Sequence, residues 1–169
     1  VPDQYSMLLE QTPRRLIARE ERASAGEMNF SERHLQCVWF DSALRPDGLV
    51  TQDGESVTVR NPGRWNTEAG PDFLDAVLFV GSEKRRIAGD VEIHLHPSDW
   101  IRHAHGKDPA YARVIAHITY FPETIPNSAL LPGAIRVSMR DAIRRNPFFC
   151  FDTVDLSAYP YAALQNRRA

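Results

Sequence analysis

Ile87-Ala88-Gly89-Asp90-Val91-Glu92-Ile93-His94-Leu95-His96 changes polarity almost residue by residue. Successive side chains of an extended strand point to opposite faces. Ile87, Val91, Ile93 and Leu95 therefore share one face, and Asp90, Glu92, His94 and His96 share the other. The apolar face reads as a core face. A merely solvated opposite face would show Lys, Thr, Glu and Arg. This one carries two carboxylates and two imidazoles and no Lys, the side-chain types that ligate metals and move protons.

Upstream, residues 72–80 form an apolar segment that suits a central strand, joined to 87–96 by a turn over 81–86. With the turn centred near Glu83, Asp72 lies across from the His94–His96 end of the next strand. Asp72, Glu92 and His94 then converge at one end of a hairpin. A helix precedes the sheet. Asn29 and Ser31 are candidate N-caps, with Asn29 three residues before Glu32 as in a capping box. Leu35, Val38, Trp39 and Leu44 recur at helical spacing, and Arg45-Pro46-Asp47-Gly48 ends the run. Residues 49–52 and 56–60 read as a hairpin about Asp53-Gly54, a strong two-residue turn signal. Asn61-Pro62-Gly63 closes it, and 64–70 reads as a polar loop.

Downstream, residues 97–109 form a polar segment with a helical turn. Residues 112–121 form a strand with Val114, Ala116 and Ile118 on one face and His117 on the other. Residues 134–139 read as a further strand and 141–145 as a short helix. The expected domain is α/β of the α+β kind, a mixed sheet of about 4–6 strands with flanking helices. It occupies residues 29–145, between an N-terminal arm or peripheral helix over 1–28 and a C-terminal extension over 146–169 that reads as the start of a longer chain.

Bulk properties narrow the function classes. The chain has 169 residues, enough for one domain with its own core. It is 43% hydrophobic and 25% charged, as globular proteins are. Twenty basic against 22 acidic residues give a formal charge of −2, so a nucleic-acid contact would need a local patch. No apolar run approaches the ~20 residues of a membrane helix. Cys37 and Cys150 make neither a disulfide framework nor a zinc pair. Cys37 reads as a small core residue, and a cytoplasmic setting is expected. The chain begins Val1-Pro2-Asp3 with no initiator Met, as a processed chain or a piece of a longer one would.

Asp72 and Glu92 make a hard-oxygen site suited to Mg2+ or Mn2+ in preference to zinc. Such an ion lowers the pKa of bound water and offsets phosphate charge, which suits phosphodiester hydrolysis. A neutral His94 would orient the water or accept its proton. A His94 protonated under the influence of adjacent carboxylates would bind phosphate instead; both roles stay open.

Pro71-Asp72, nineteen further residues, then Glu92-Ile93-His94 resembles the PD-(D/E)xK nuclease signature with His in place of Lys. The element order of helix, three-strand meander, connecting segment and strand is similar as well. The resemblance implies a restriction-endonuclease-like fold, Asp72 and Glu92 as metal ligands, His94 in the Lys role, and Glu32 assisting from the first helix. His is shorter than Lys and not permanently charged. At family level, GPDFLDAV (70–77) and GDVEIHLHPSDWIRHAHGKDPAYARVIAHITYF (89–121), with LQCVWF (35–40), resemble the uncharacterised bacterial family termed domain of unknown function 2851. That name conveys no activity, and the family's longer chains imply a short member or a fragment here.

Other residues keep two readings each. Asp90 after Gly89 is a bulge residue or an outer ligand. His96, Asp99, His103, His105 and Asp108 either cap a polar loop or line the same cleft, and with His94 they form an HxH…HxH pattern that could ligate zinc. His117 reads as a satisfied core or supporting histidine. Trp39, Trp65 and Trp100 read as core or cleft walls, with base stacking open to the last two. Lys84-Arg85-Arg86 reads as a solvated hairpin tip or a phosphate contact. The expected function is a metal-dependent nuclease-like hydrolase acting on DNA or another nucleic acid. Its rivals are an inactive nucleic-acid-binding module, a structural subunit, and a cupin-like metal protein. The last fits poorly, because no Glu follows His94-Leu95-His96 at cupin spacing.

Overall fold

A computed structural model of the chain describes residues 29–160. The arm expected over 1–28 and the end of the extension, 161–169, lie outside the described residues.

The first helix, α1, spans Glu32–Phe40. Ser31 is its N-cap, and His34 Nδ1 accepts the Ser31 N–H at 3.0 Å. Leu35, Cys37, Val38 and Trp39 are fully buried, and the Trp39 indole N–H donates to the Pro62 carbonyl at 3.0 Å. The helix stops short of Leu44 because Asp41 turns the chain: its Oδ1 accepts the Ala43 N–H at 2.8 Å.

Among the described residues seven strands follow: β1 (Leu49–Val50), β2 (Ser56–Asn61), β3 (Arg64–Trp65), β4 (Phe73–Val80), β5 (Arg85–His94), β6 (Val114–Thr119) and β7 (Ile135–Ser138). They make one mixed sheet in the order β1-β2-β4-β5-β6-β7, with β3 paired to the start of β4. Pairs up to β4–β5 are antiparallel; β5–β6 and β6–β7 are parallel. The parallel step needs a crossover, which contains the short helix α2 (Asp99–Arg102) and two 3-10 turns, His105–Lys107 and Pro109–Tyr111. Helix α3 (Arg140–Arg144) follows β7. The sheet curls until its edges meet. Thr51 bridges Val137, and the Gln52 N–H donates to the Arg136 carbonyl at 2.9 Å. Register shifts in β2–β4, β4–β5 and β5–β6 supply local bends of the kind that β-bulges introduce.

One side of the sheet packs with α1 into the main core, through Phe73, Leu78, Val91, Ile93, Ala116, Ile118 and Val137. On the other side, Trp100, Tyr111, Val114, Ile125 and Leu130 form a smaller cluster. β5 is therefore buried on both faces from Gly89 to His94. Gly89 makes this possible: a Cβ there would sit 2.5 Å from the Arg113 carbonyl oxygen and from Ile115 Cγ2.

Two expectations are corrected. Val114 packs into the smaller cluster and not beside Ala116 and Ile118, because the β5–β6 register shifts between Asp90 and Val91. The loop over 64–70 contains β3, too short to carry a period. Residues 146–160 of the extension pack on the core. Phe151 stacks on Phe30 at 3.9 Å, Val154 is buried, and Tyr159 donates to Asp41 at 3.0 Å. Among the described residues no helix is long and apolar enough to cross a membrane.

Candidate metal centre

Asp72 stands one residue before β4, and its carboxylate is clamped from two elements. Oδ1 accepts Gln36 Nε2 of α1 at 2.8 Å, and Oδ2 accepts the Ile93 N–H of β5 at 2.9 Å. The Asp72 N–H donates in turn to Glu92 Oε2 at 3.1 Å. Asn66 steadies the approach: its side chain donates to the Pro71 carbonyl at 2.8 Å and its N–H to the Asp72 carbonyl at 2.7 Å. Glu32, Gln36 and Asp72 line one open pocket together with Ser31, Arg33 and Leu156. Glu32 and Gln36 are one helical turn apart, which puts them on the same face of α1.

Burial pushes the Asp72 and Glu92 carboxyls above the usual carboxylate range, and the Asp72 charge pushes Glu92 further. Glu32 is pushed up to about 7 by burial and by Asp72 and Asp99, with Arg102 acting against the shift. A divalent cation or bound protons relieve that mutual repulsion.

Glu92 divides its two oxygens. While Oε2 takes the Asp72 N–H, Oε1 lies 3.4 Å from His94 Nε2 and 3.2 Å from His105 Nε2. His94 Nδ1 meets His117 Nε2 at 2.9 Å, one ring donating to the other. His105 is stacked on Tyr111 at 3.9 Å and edged by Trp100, whose own N–H is fixed on the Ala129 carbonyl. His94, His103 and His105 each offer a nitrogen within 4.8 Å of the others. His105 Nε2 is buried and has no hydrogen-bond partner. Burial and the neighbouring rings hold His94 well below the usual imidazole range, and burial lowers His117 to about 3. His94 is thus neutral, and the phosphate-binding imidazolium is not the form the site favours.

Of the residues singled out in the sequence, Glu32, Asp72, Glu92, His94, His103 and His105 come together, with buried Asp99 beside Glu32 and ion-paired to Arg102. Three others serve elsewhere. Asp90 Oδ1 accepts the Asp75 N–H at 3.0 Å, at the β4 bulge. His96 lies beyond the end of β5, so the alternation no longer aims it; it pairs with Glu123 at 2.7 Å and stacks on Phe121. Asp108 caps the second 3-10 turn through the Ala110 N–H. Trp65 and Trp100 are buried, which removes them as exposed stacking surfaces. Lys84, Arg85 and Arg86 are exposed at the β4–β5 tip, where Arg85 pairs with Glu55 at 3.7 Å. Gln36 and Asn66 were not anticipated as site residues. The signal for Gln36 was available: a polar residue inside the apolar run Leu35-Gln36-Cys37-Val38-Trp39, one turn after Glu32.

The asymmetry of donors decides what the centre can hold. Carboxylate oxygens of Glu32, Asp72 and Glu92 suit a hard divalent ion, and each Asp72 oxygen retains a second lone pair beyond the donor it accepts. Among known proteins, a family model described as Protein of unknown function (DUF2851) matches residues 32–127. No curated protein and no solved structure matches the chain.

Proposed function

The chain belongs to this family of unknown function, and from its site we propose that it is a metal-dependent, nuclease-like phosphodiester hydrolase acting on DNA or another nucleic acid. One observation carries the reading. Asp72 at the start of a strand and Glu92 on the antiparallel neighbour meet beside Glu32 of the preceding helix. The order of α1, antiparallel β2-β4-β5, crossover and parallel β6 agrees with the restriction-endonuclease-like arrangement that the Pro71-Asp72…Glu92-Ile93-His94 motif implies.

In this reading Asp72 and Glu92 hold Mg2+ or Mn2+, and Glu32 completes the acidic set. The bound ion supplies a water of lowered pKa and charge neutralisation on the phosphate. Gln36 and the Ile93 N–H hold the Asp72 carboxylate in one orientation, so no reorganisation is needed when substrate arrives. Neutral His94 orients the water through the Nε2 lone pair while Nδ1 stays bound to His117. It supplies no fixed positive charge, unlike the Lys it replaces. The nucleic acid would reach the site through the pocket lined by Glu32, Gln36 and Asp72.

The test is cleavage of single- and double-stranded DNA and RNA in Mg2+, Mn2+ or EDTA, by wild type and Asp72→Asn. Metal-dependent cleavage lost in the variant supports the reading. Cleavage indifferent to EDTA and to the substitution overturns the mechanism. Salt-sensitive binding with no cleavage in any metal replaces it with an inactive binding module of the same fold.

A further inference from the structure

We propose that Glu92, His94 and His105, closed by His103, form a site for one borderline transition-metal ion of the zinc class, which shares Glu92 and His94 with the hydrolase reading but needs neither Asp72 nor Glu32.

The argument is geometric. A tetrahedral ion with Zn–N and Zn–O bonds of about 2.0–2.2 Å holds its ligand atoms roughly 3.3–3.6 Å apart. Glu92 Oε1 lies 3.4 Å from His94 Nε2 and 3.2 Å from His105 Nε2. Two edges of that polyhedron are therefore already near the required length. His105 Nε2 is buried without a hydrogen bond, a rare state for a nitrogen that a metal would satisfy. Imidazole donors select zinc-like ions over Mg2+, whose preference is oxygen and water.

The supporting contacts also fit. For His94 to ligate through Nε2, its proton must sit on Nδ1, and His117 Nε2 is there to accept it at 2.9 Å. His105 is clamped between Tyr111 and Trp100. His103 and His105 are separated by Ala104, a non-glycine residue in the left-handed region at φ +57°. That conformation is disfavoured for an L-residue, and here it brings the two rings to within 5.3 Å of each other. His103 is exposed, so it can swing the remaining distance to a bound ion.

The probe is Co2+ titrated into metal-stripped full-length protein, followed by visible absorption and then by competition with Zn2+. The expected result is one ion per chain with the intense bands of a tetrahedral site, displaced by Zn2+ but not by excess Mg2+. His105→Ala should abolish that spectrum. His103→Ala, a surface change that leaves the fold intact, should alter it as water replaces a nitrogen. Asp72→Asn should leave it unchanged while removing any cleavage, so the two readings fail separately. Absence of stoichiometric Co2+ binding by the wild type, or identical spectra in wild type and both His variants, overturns the proposal.

Discussion

Replacing Glu92 by Gln should stabilise the metal-free protein near neutral pH while removing its response to divalent ions. Glu92 is 5% exposed, and burial together with the Asp72 charge holds its carboxyl above the usual range. In the unfolded chain a Glu titrates near ~4.3. Between that value and the raised folded one, the folded state binds more protons than the unfolded state. Stability therefore falls as pH rises across the interval. At ~1.4 kcal/mol per pH unit, the span from about 4.3 to 7.5 sets an upper bound of about 4 kcal/mol. Sharing of the proton with Asp72 and local relaxation bring the expected value to about 1–3 kcal/mol. Gln is neutral throughout and keeps an amide oxygen for the Asp72 N–H that Oε2 now accepts. The melting temperature in EDTA should then rise by roughly 3–10 °C at pH 7.5, with no gain at pH 4.5. Adding Mn2+ or Zn2+ should raise the melting point of the wild type and leave the variant unmoved, because Glu92 is the carboxylate common to both proposed ion sites. A variant equally destabilised at both pH values would refute the electrostatic argument and make Glu92 an ordinary hydrogen-bonded core residue.

Two further outcomes follow from other parts of the molecule. Gly89→Ala should destabilise the fold by about 1–3 kcal/mol in urea unfolding, because the added methyl meets the Arg113 carbonyl oxygen and Ile115 at 2.5 Å where β5 and β6 close on each other; a change under ~0.5 kcal/mol would show that the strands part freely there. His94 and His117 are held neutral in the folded state, whereas unfolded imidazoles protonate near ~6.5. Against the opposite slope set by Glu92, these two rings make the unfolded state bind more protons below that pH, and their own contribution should cost stability as pH falls from about 6.5. His117→Gln should flatten that slope in denaturant titrations at pH 4.5, 5.5 and 6.5, and an unchanged slope would show that His117 does not contribute.

Much of the scaffold was legible because its signals are local. The alternation at 87–96, the Asp53-Gly54 turn and the helix starting after Ser31 each depend on a few neighbouring residues and on intrinsic strand, turn and helix geometry. That Asp72, Glu92 and His94 lie close together could be anticipated from a hairpin. The ladder sets Asp72 opposite Glu92 and not at the His94–His96 end, because the hairpin turn sits tighter and the register shifts between Phe73 and Ala76. Closure of the sheet could not be anticipated, since Thr51 and Val137 are distant in sequence and meet through a single bridge. Nor could the face of Val114, which a register shift of one strand against its neighbour reverses.

The site divides along the same line. Which side chains occupy the polar face of β5 is a property of the chain, written in a period of two. Whether that face meets water is not. The crossover carrying Trp100, His105 and Tyr111 roofs it, and the roof excludes solvent from Glu92 and keeps His94 uncharged, while Glu32 and Asp72 stand half-buried at an open pocket. Residue type and spacing determine the inventory of donors and acceptors; dielectric, protonation and ligand distance arise from groups far apart in the chain, so only the packed structure decides them.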